Sequence, residues 1–176
     1  MRPTTDSPSI RKWFRVPENG VFGKLFCVGF MFSEDMAEVA LIRKAKPEWQ
    51  KGRLNGVGGK LEPGETPGGA MRREFREEAG VDFQSWEPLA RLDFPCGDFD
   101  GRSLDDATVW FFWAGSPAMR ACRTRTEEGI EFHSVAGLPS REDLLPNINW
   151  LIPMALSFGK GERANCFMVK EVYGGL

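Results

Sequence analysis

The feature that most constrains this chain is a run of charged and small residues at positions 59–81, with the sequence GKLEPGETPGGAMRREFREEAGV. Thr66 followed by Pro67 is typical of a helix start, and Gly80 is typical of a helix end. The residues between them are therefore predicted to form a helix. Three apolar residues at every fourth position would form its buried stripe: Met71, Phe75 and Ala79.

The same helix would place three carboxylates on one face, because Glu74, Glu77 and Glu78 stand at positions i, i+3 and i+4. Like charges at this spacing repel each other and destabilise a helix. One interpretation is a solvated charged face. The other is a site for a hard divalent cation, because clustered carboxylate oxygens are the ligands that Mg²⁺ or Mn²⁺ requires.

The spacing around these carboxylates carries a family resemblance. Gly59 is followed after five residues by Glu65, and after seven more by the run REFREEAGV, which begins at Arg73. This pattern matches the Nudix box at every specified position, so the chain resembles the Nudix hydrolase family, in particular its MutT-like members. Weaker resemblance extends over residues 21–158. It implies an α/β/α sandwich with a mixed central sheet and a divalent metal cofactor, Mg²⁺ or Mn²⁺.

The resemblance also implies roles for the residues of the box. Glu77 and Glu78 would be the main metal ligands, and Glu74 a further ligand or the base that activates water. Arg73 would orient these carboxylates through a salt bridge. Glu65 would lie next to the ligands without binding the metal itself. The carbonyl oxygen of Gly59 would be a further metal contact. A metal that bridges phosphate oxygens neutralises charge in the transition state and lowers the pKa of bound water.

Family members often carry another metal-binding carboxylate on a loop after the central strands. The matching region here favours Glu127, then Glu128, with Glu131 as a further candidate, and a plain acidic surface loop is the alternative. At the end of the second predicted strand, Arg43 and Lys44 match positions that often contact phosphate. A solvated strand end is the alternative for these two residues.

The segment GRLNGVGGK at residues 52–60 is similar to that of Nudix enzymes that hydrolyse oxidised purine nucleoside triphosphates. Asn55 is therefore a candidate base contact, since an amide both donates and accepts hydrogen bonds; a turn residue before Gly56 is the alternative. Asn147 is a second candidate, although Leu145 stands where those enzymes have a tryptophan. Three tryptophans could stack on a base, with core positions favoured for the last two: Trp49, Trp110 and Trp113.

Hydrophobic patterns outside the box predict the rest of the fold. Strands are expected at residues 21–32, 39–42, 86–94, 107–114, 132–135 and 167–173, a short strand begins at Leu54, and a second helix covers 147–158. Strands before, between and after two helices indicate an α+β fold with a mixed sheet. We expect a peripheral lead-in at residues 1–17 and a single domain at 18–176.

Composition limits the partners. With 23 basic and 25 acidic residues the net charge is −2, so a nucleic acid partner is disfavoured. The 4 cysteines include no CxxC pair and His133 is the only histidine, which disfavours a zinc site; we expect His133 to be structural and no disulfide to form. No apolar run long enough to span a membrane is present, and residues 1–9 do not resemble a signal peptide, so a cytoplasmic location is expected. No pattern specifies an oligomeric state.

Together these features predict Mg²⁺-dependent hydrolysis of a diphosphate linkage in a small nucleotide. A nucleoside triphosphate, including an oxidised or non-standard purine, is the first choice. The first alternative is another nucleoside diphosphate derivative, such as a nucleotide sugar or a dinucleoside polyphosphate. The second is a catalytically silent nucleotide or RNA sensor, which the complete set of Glu74, Glu77 and Glu78 disfavours.

Overall fold

The computed structural model describes residues 23–94, 97–99, 102–104, 106–159 and 167–170. The expected lead-in at 1–17, the cysteines Cys96 and Cys166, and the end of the last expected strand lie outside these residues. Within them, neither helix has the length and apolar character that crossing a membrane requires.

The helices and strands follow one another along the chain as follows: β1 Lys24–Phe32, β2 Glu38–Arg43, β3 Leu54–Asn55, α1 Pro67–Ala79, β4 Glu87–Phe94, β5 Gly97–Phe99, β6 Arg102–Leu104, β7 Ala107–Gly115, β8 Gly129–Ser134, α2 Ile148–Gly159 and β9 Phe167–Lys170. Short 3₁₀ turns at Pro117–Ala121 and Val135–Gly137 flank β8.

In the described part of the chain, seven strands form one sheet in the order β3-β2-β1-β7-β4-β9, with β8 paired to β2. β1 runs parallel to β7 and β4 parallel to β9, whereas β2 pairs antiparallel with β1, β3 and β8. The sheet is therefore mixed, and the predicted α+β class is confirmed.

A helix covers each face of the sheet. Alternate residues of a strand point to opposite faces. Accordingly Met31 of β1 packs with Phe75 of α1, and Phe30 packs with Leu151 of α2. The two buried layers confirm the sandwich architecture. Trp110 is fully buried, as expected, and Trp113 is half-buried.

Helix α1 begins and ends where the sequence predicts. The Thr66 side chain accepts a hydrogen bond from Gly69 N at 3.1 Å, and Gly80 takes a left-handed conformation with φ of 73°. The predicted stripe of Met71, Phe75 and Ala79 is fully buried. Because of this packing, the opposite face of α1 carries the charged residues.

Three strands differ most from the predictions. β8 spans residues 129–134 instead of 132–135, because its whole length pairs with β2, from Gly129 opposite Arg43 to Ser134 opposite Glu38. The hairpin of β5 and β6 was not predicted. Each of its strands has only 3 residues, too few for a hydrophobic period to show.

Candidate active site

The glycine turn of the box lies directly against β1. Cys27 N donates to Gly59 O at 2.9 Å, and Gly29 and Val57 exchange hydrogen bonds of 2.8 and 3.1 Å. Gly58 has φ of 155°, and a Cβ there would stand 2.1 Å from Cys27 O. Only glycine allows the backbone of the turn to come this close to β1, and this contact fixes the position of the turn beside α1.

Glu78 on α1 meets this turn, since its Oε2 accepts a hydrogen bond from Gly58 N at 3.2 Å. Burial is the main cause that raises the pKa of Glu78 to about 7. The Lys44 charge and the Gly58 bond oppose this shift, while Glu74 and Glu128 add to it. The nearby positive charge therefore does not offset the cost of burying the negative charge of this carboxylate.

Glu74 stands one turn earlier on the same helix, against Gly59. A Cβ at Gly59 would lie 2.6 Å from the Glu74 carboxyl carbon, so a side chain there would displace the carboxylate. Burial raises the pKa of Glu74, although Arg73 opposes the shift. The Glu74 carboxylate can therefore occupy this position only because residue 59 has no side chain.

Arg73 connects the carboxylates of the box. Its Nε and Nη2 bind Glu65 at 2.8 and 2.9 Å, and its Nη1 contacts Glu74 at 2.9 Å and Glu77 at 3.2 Å. Nη2 also donates to Lys60 O at 3.0 Å. These ion pairs raise the pKa of Arg73, and they lower that of Glu65. The planar guanidinium can hold several carboxylates at once, which a lysine cannot do.

The loop before β8 brings Glu128 to the site. Its Oε2 pairs with Lys44 Nζ at 2.5 Å, and its Oε1 accepts from the backbone of Ala45 at 2.9 Å and Lys46 at 3.3 Å. Burial alone would raise its pKa, but these partners outweigh burial and lower it. By contrast, the Glu127 side chain is 61% exposed and pairs with Lys46 at 2.9 Å. Glu127 as a metal ligand therefore stays a prediction, and Glu128 is the buried carboxylate of this loop, whose charge reaches Glu78.

Backbone contacts to α1 fix this loop, and the sequence alone carried no signal for them. Arg123 N donates to Ala79 O at 2.9 Å, and Arg125 N donates to Glu78 O at 3.2 Å. The Thr126 hydroxyl then accepts from Glu128 N at 3.2 Å. The loop thereby uses carbonyl groups that the end of a helix leaves unpaired.

Glu131 on β8 pairs with Arg43 of β2, and its role as a metal ligand stays a prediction. Arg43 Nε and Nη2 bind its two carboxylate oxygens at 2.5 and 2.8 Å, which lowers the pKa of Glu131. His133 Nε2 lies 3.2 Å from the same carboxylate. Arg43 Nη1 also donates to Gly52 O at 2.7 Å. Arg43 and Glu131 thus form a structural pair at the end of β2.

The candidate base contacts lie on separate elements. Asn55 pairs with Ile42 in the sheet, and its Oδ1 accepts from Gly56 N at 2.8 Å, as expected of a turn residue. The Asn147 carbonyl accepts from Leu151 N at 3.0 Å at the start of α2. Trp49 lies in the loop between β2 and β3 and is 46% exposed.

The donor set fits a hard divalent cation. No three acidic, histidine or cysteine groups in the described ranges stand close enough to form a finished metal site. However, burial raises the pKa of both Glu74 and Glu78, and a bound cation would relieve the cost of burying these two negative charges. Glu77 is the third candidate ligand on this helix. Gly59 O accepts one hydrogen bond and retains a second lone pair for a metal.

Comparisons with known proteins identify the family of the chain. The family model described as NUDIX domain matches residues 25–151. The 8-oxo-dGTP diphosphatase of Escherichia coli (strain K12) is 33% identical over 94 residues, covering 51% of this chain and 67% of that protein.

Solved structures show the same fold. The MutT protein of Bacillus halodurans is 21% identical with a TM-score of 0.55, covering 76% of this chain and 82% of that one. The NUDIX domain of Shewanella oneidensis NrtR, crystallised with ADP-ribose, is 16% identical with a TM-score of 0.62, covering 86% and 98%. Since the family model covers well over half of its length, the chain belongs to the Nudix family as a MutT-like Nudix hydrolase, a pyrophosphohydrolase.

Proposed function

We propose that this chain hydrolyses a diphosphate linkage in a nucleoside triphosphate, with oxidised or other non-standard purine nucleotides preferred and Mg²⁺ or Mn²⁺ required. Nudix hydrolases generally use divalent metal ions. The observation that carries the proposal is the buried Glu78 carboxylate, which lies between the glycine turn and the charges of Glu74 and Glu128. The ion would be held by Glu74, Glu77 and Glu78, and by the Gly59 carbonyl.

Each residue of the cluster has a task in this mechanism. When bound, the metal ion supplies charge neutralisation for the phosphates and a more acidic water. Glu74 is our candidate for the base, because Arg73 Nη1 orients its carboxylate at 2.9 Å beside Gly59. Arg73 keeps Glu74 and Glu77 in orientation, and Glu65 holds Arg73 from the other side.

The two basic residues at the end of β2 have different surroundings. Lys44 pairs with Glu128, and its charge also reaches Glu78, so it is well placed to contact a substrate phosphate. Arg43 is engaged by Glu131, and its side chain is 39% exposed. We retain both as phosphate contacts and favour Lys44, because its charge acts on Glu78.

Base recognition is assigned to Asn55 and Asn147. The Escherichia coli relative is named an 8-oxo-dGTP diphosphatase, which favours a purine nucleotide. Asn55 uses its Oδ1 within the turn, and its Nδ2 makes no hydrogen bond within the described residues, so it is available as a donor. Trp49 offers an exposed aromatic face for stacking on a base.

A second substrate class is another nucleoside diphosphate derivative, such as a nucleotide sugar or a dinucleoside polyphosphate. The observation that favours it is the ADP-ribose bound to the NUDIX domain of Shewanella oneidensis NrtR, which has the same fold as this chain.

We place the reaction in the cytoplasm, because the two cysteines in the described ranges, Cys27 and Cys122, are free thiols, which suits a reducing compartment.

The proposed hydrolysis is tested with a panel of nucleotides and Mg²⁺, with products separated by chromatography. Preferential turnover of one purine triphosphate is the expected result. Turnover of a sugar or dinucleoside substrate instead would select the second class. Metal-dependent binding without turnover of any compound would make the protein a silent sensor.

A further inference from the structure

The loop between β2 and β3 is closed at its base. Lys44 N donates to Arg53 O at 2.9 Å, and Gly52 N donates back to Lys44 O at 2.8 Å. We call residues 44–53 the Trp49 loop, since Trp49 is its large exposed apolar residue. Contacts at its base therefore hold the two ends of the loop that carries Trp49.

Glu128 holds the first half of this base with both carboxylate oxygens. Oε1 accepts from Ala45 N and Lys46 N, and Oε2 accepts from Lys44 Nζ. The residue is 3% exposed, so solvent does not compete for these hydrogen bonds in the intact protein. Arg43 holds the other half through Gly52 O, and Glu131 holds Arg43.

Glu128 is itself fixed to the end of α1. Two backbone bonds join its loop to Ala79 and Glu78, and the Thr126 hydroxyl holds the Glu128 amide. A continuous set of hydrogen bonds therefore runs from the helix that carries Glu78, through Glu128, to the base of the Trp49 loop.

We propose that Glu128 is a positioning residue that fixes the Trp49 loop to the end of α1 and so sets the affinity for the nucleotide. On this assignment Glu128 stays with the loop when a metal binds, because leaving would strand the amides of Ala45 and Lys46. The effect of Glu128 on nucleotide affinity rests on the function proposed above, whereas its anchoring of the Trp49 loop is independent of that function.

The anchoring is tested by amide hydrogen exchange of the whole chain without substrate. In Glu128→Ala, exchange at Ala45 and Lys46 should accelerate by about tenfold or more, because a lost hydrogen bond opens the loop locally. Glu128→Gln keeps an oxygen for both amides, so its exchange should stay within about threefold of wild type, even if Glu128→Ala proves unstable. The matched control is Glu127→Ala, whose carboxylate pairs at the surface, and exchange at these two amides should not change. Equal acceleration in both alanine variants, or none in either, would overturn the anchoring.

Kinetics and metal binding separate positioning from ligation. For Glu128→Ala we expect KM to rise by about tenfold with kcat within about threefold of wild type, the pattern of lost substrate binding. The Kd for Mn²⁺, measured by calorimetry, should stay within about tenfold of wild type, whereas Glu78→Gln should weaken it by about a hundredfold or more. A loss of Mn²⁺ affinity in Glu128→Ala as large as that in Glu78→Gln would make Glu128 a ligand and refute the proposal. If wild type hydrolyses no nucleotide, the proposed function fails, while exchange and Mn²⁺ binding still decide the role of Glu128.

Discussion

Replacing Glu78 with glutamine removes one charge from the cluster and changes the shape of the side chain very little. Without metal, the pKa of Glu78 is about 7 in the folded protein, against an ordinary value of 4.5. Between these pH values the folded state keeps a proton that the unfolded state has lost. The free energy of unfolding therefore falls as pH rises through this window and stays lower above it.

The shift corresponds to about 3 kcal/mol at pH 8, as an upper limit. Glutamine is uncharged, so burying it does not carry this penalty, although its amide must still lie among acidic groups. We therefore expect the free energy of unfolding to rise by about 1–2 kcal/mol. For a chain of this size that raises Tm by roughly 3–6 °C at pH 8 in EDTA, with little change at pH 4.5. The control is Glu77→Gln on the same helix, whose side chain is 52% exposed, and we expect no gain in Tm from this variant.

The same variant should lose its activity. Removing a charge that holds the metal should cost about 4 kcal/mol or more in the barrier, which lowers kcat by about a thousandfold at saturating Mg²⁺. Thermal unfolding at the two pH values and steady-state kinetics measure both effects. A gain in Tm that is equal at both pH values would refute the burial argument. Near-normal kcat at saturating Mg²⁺ would refute the metal assignment.

Four further predictions follow from the same geometry. Activity should vanish in EDTA and return with Mg²⁺ or Mn²⁺ but poorly with Ca²⁺, which prefers longer and looser coordination; turnover after exhaustive chelation would contradict this. Gly59→Ala should displace the Glu74 carboxylate and lower kcat by about tenfold or more, and unchanged kcat would disprove this contact. Arg73→Lys should lower kcat and the free energy of unfolding together, since an ammonium cannot replace the guanidinium, and wild-type values of both would argue against its role. Asn55→Ala should raise KM for the preferred base by about 2–12-fold and flatten base discrimination, whereas a lower Tm with unchanged preference would leave Asn55 as a turn residue.

Local signals made α1 and its charged face predictable. The cap at Thr66, the stop at Gly80 and the apolar stripe all act within one helix, so a single sequence contains them. The contacts of Arg73 with Glu74 and Glu77 are likewise within reach along that helix. These features needed no knowledge of the rest of the chain.

The rest of the site depends on contacts between distant segments. Glu127 and Glu128 are neighbours with the same side chain, and only the bond from Arg125 N to Glu78 O and the partners at β2 decide which one faces inward. The length of β8 is likewise set by its pairing with β2. No pattern within a short segment reports such pairings, so the sequence left these alternatives open.

The central claim is that water attacks a phosphorus atom of a nucleotide at the Glu74 and Glu78 cluster. The most direct measurement is hydrolysis of the preferred nucleotide in ¹⁸O-labelled water, followed by mass spectrometry of both products. For wild type with Mg²⁺ we predict that a single ¹⁸O atom enters a phosphate group of one product, that none enters with EDTA, and that Glu78→Gln incorporates about a thousandfold less in the same time. Label outside the phosphate groups, or equal labelling by Glu78→Gln, would contradict the account.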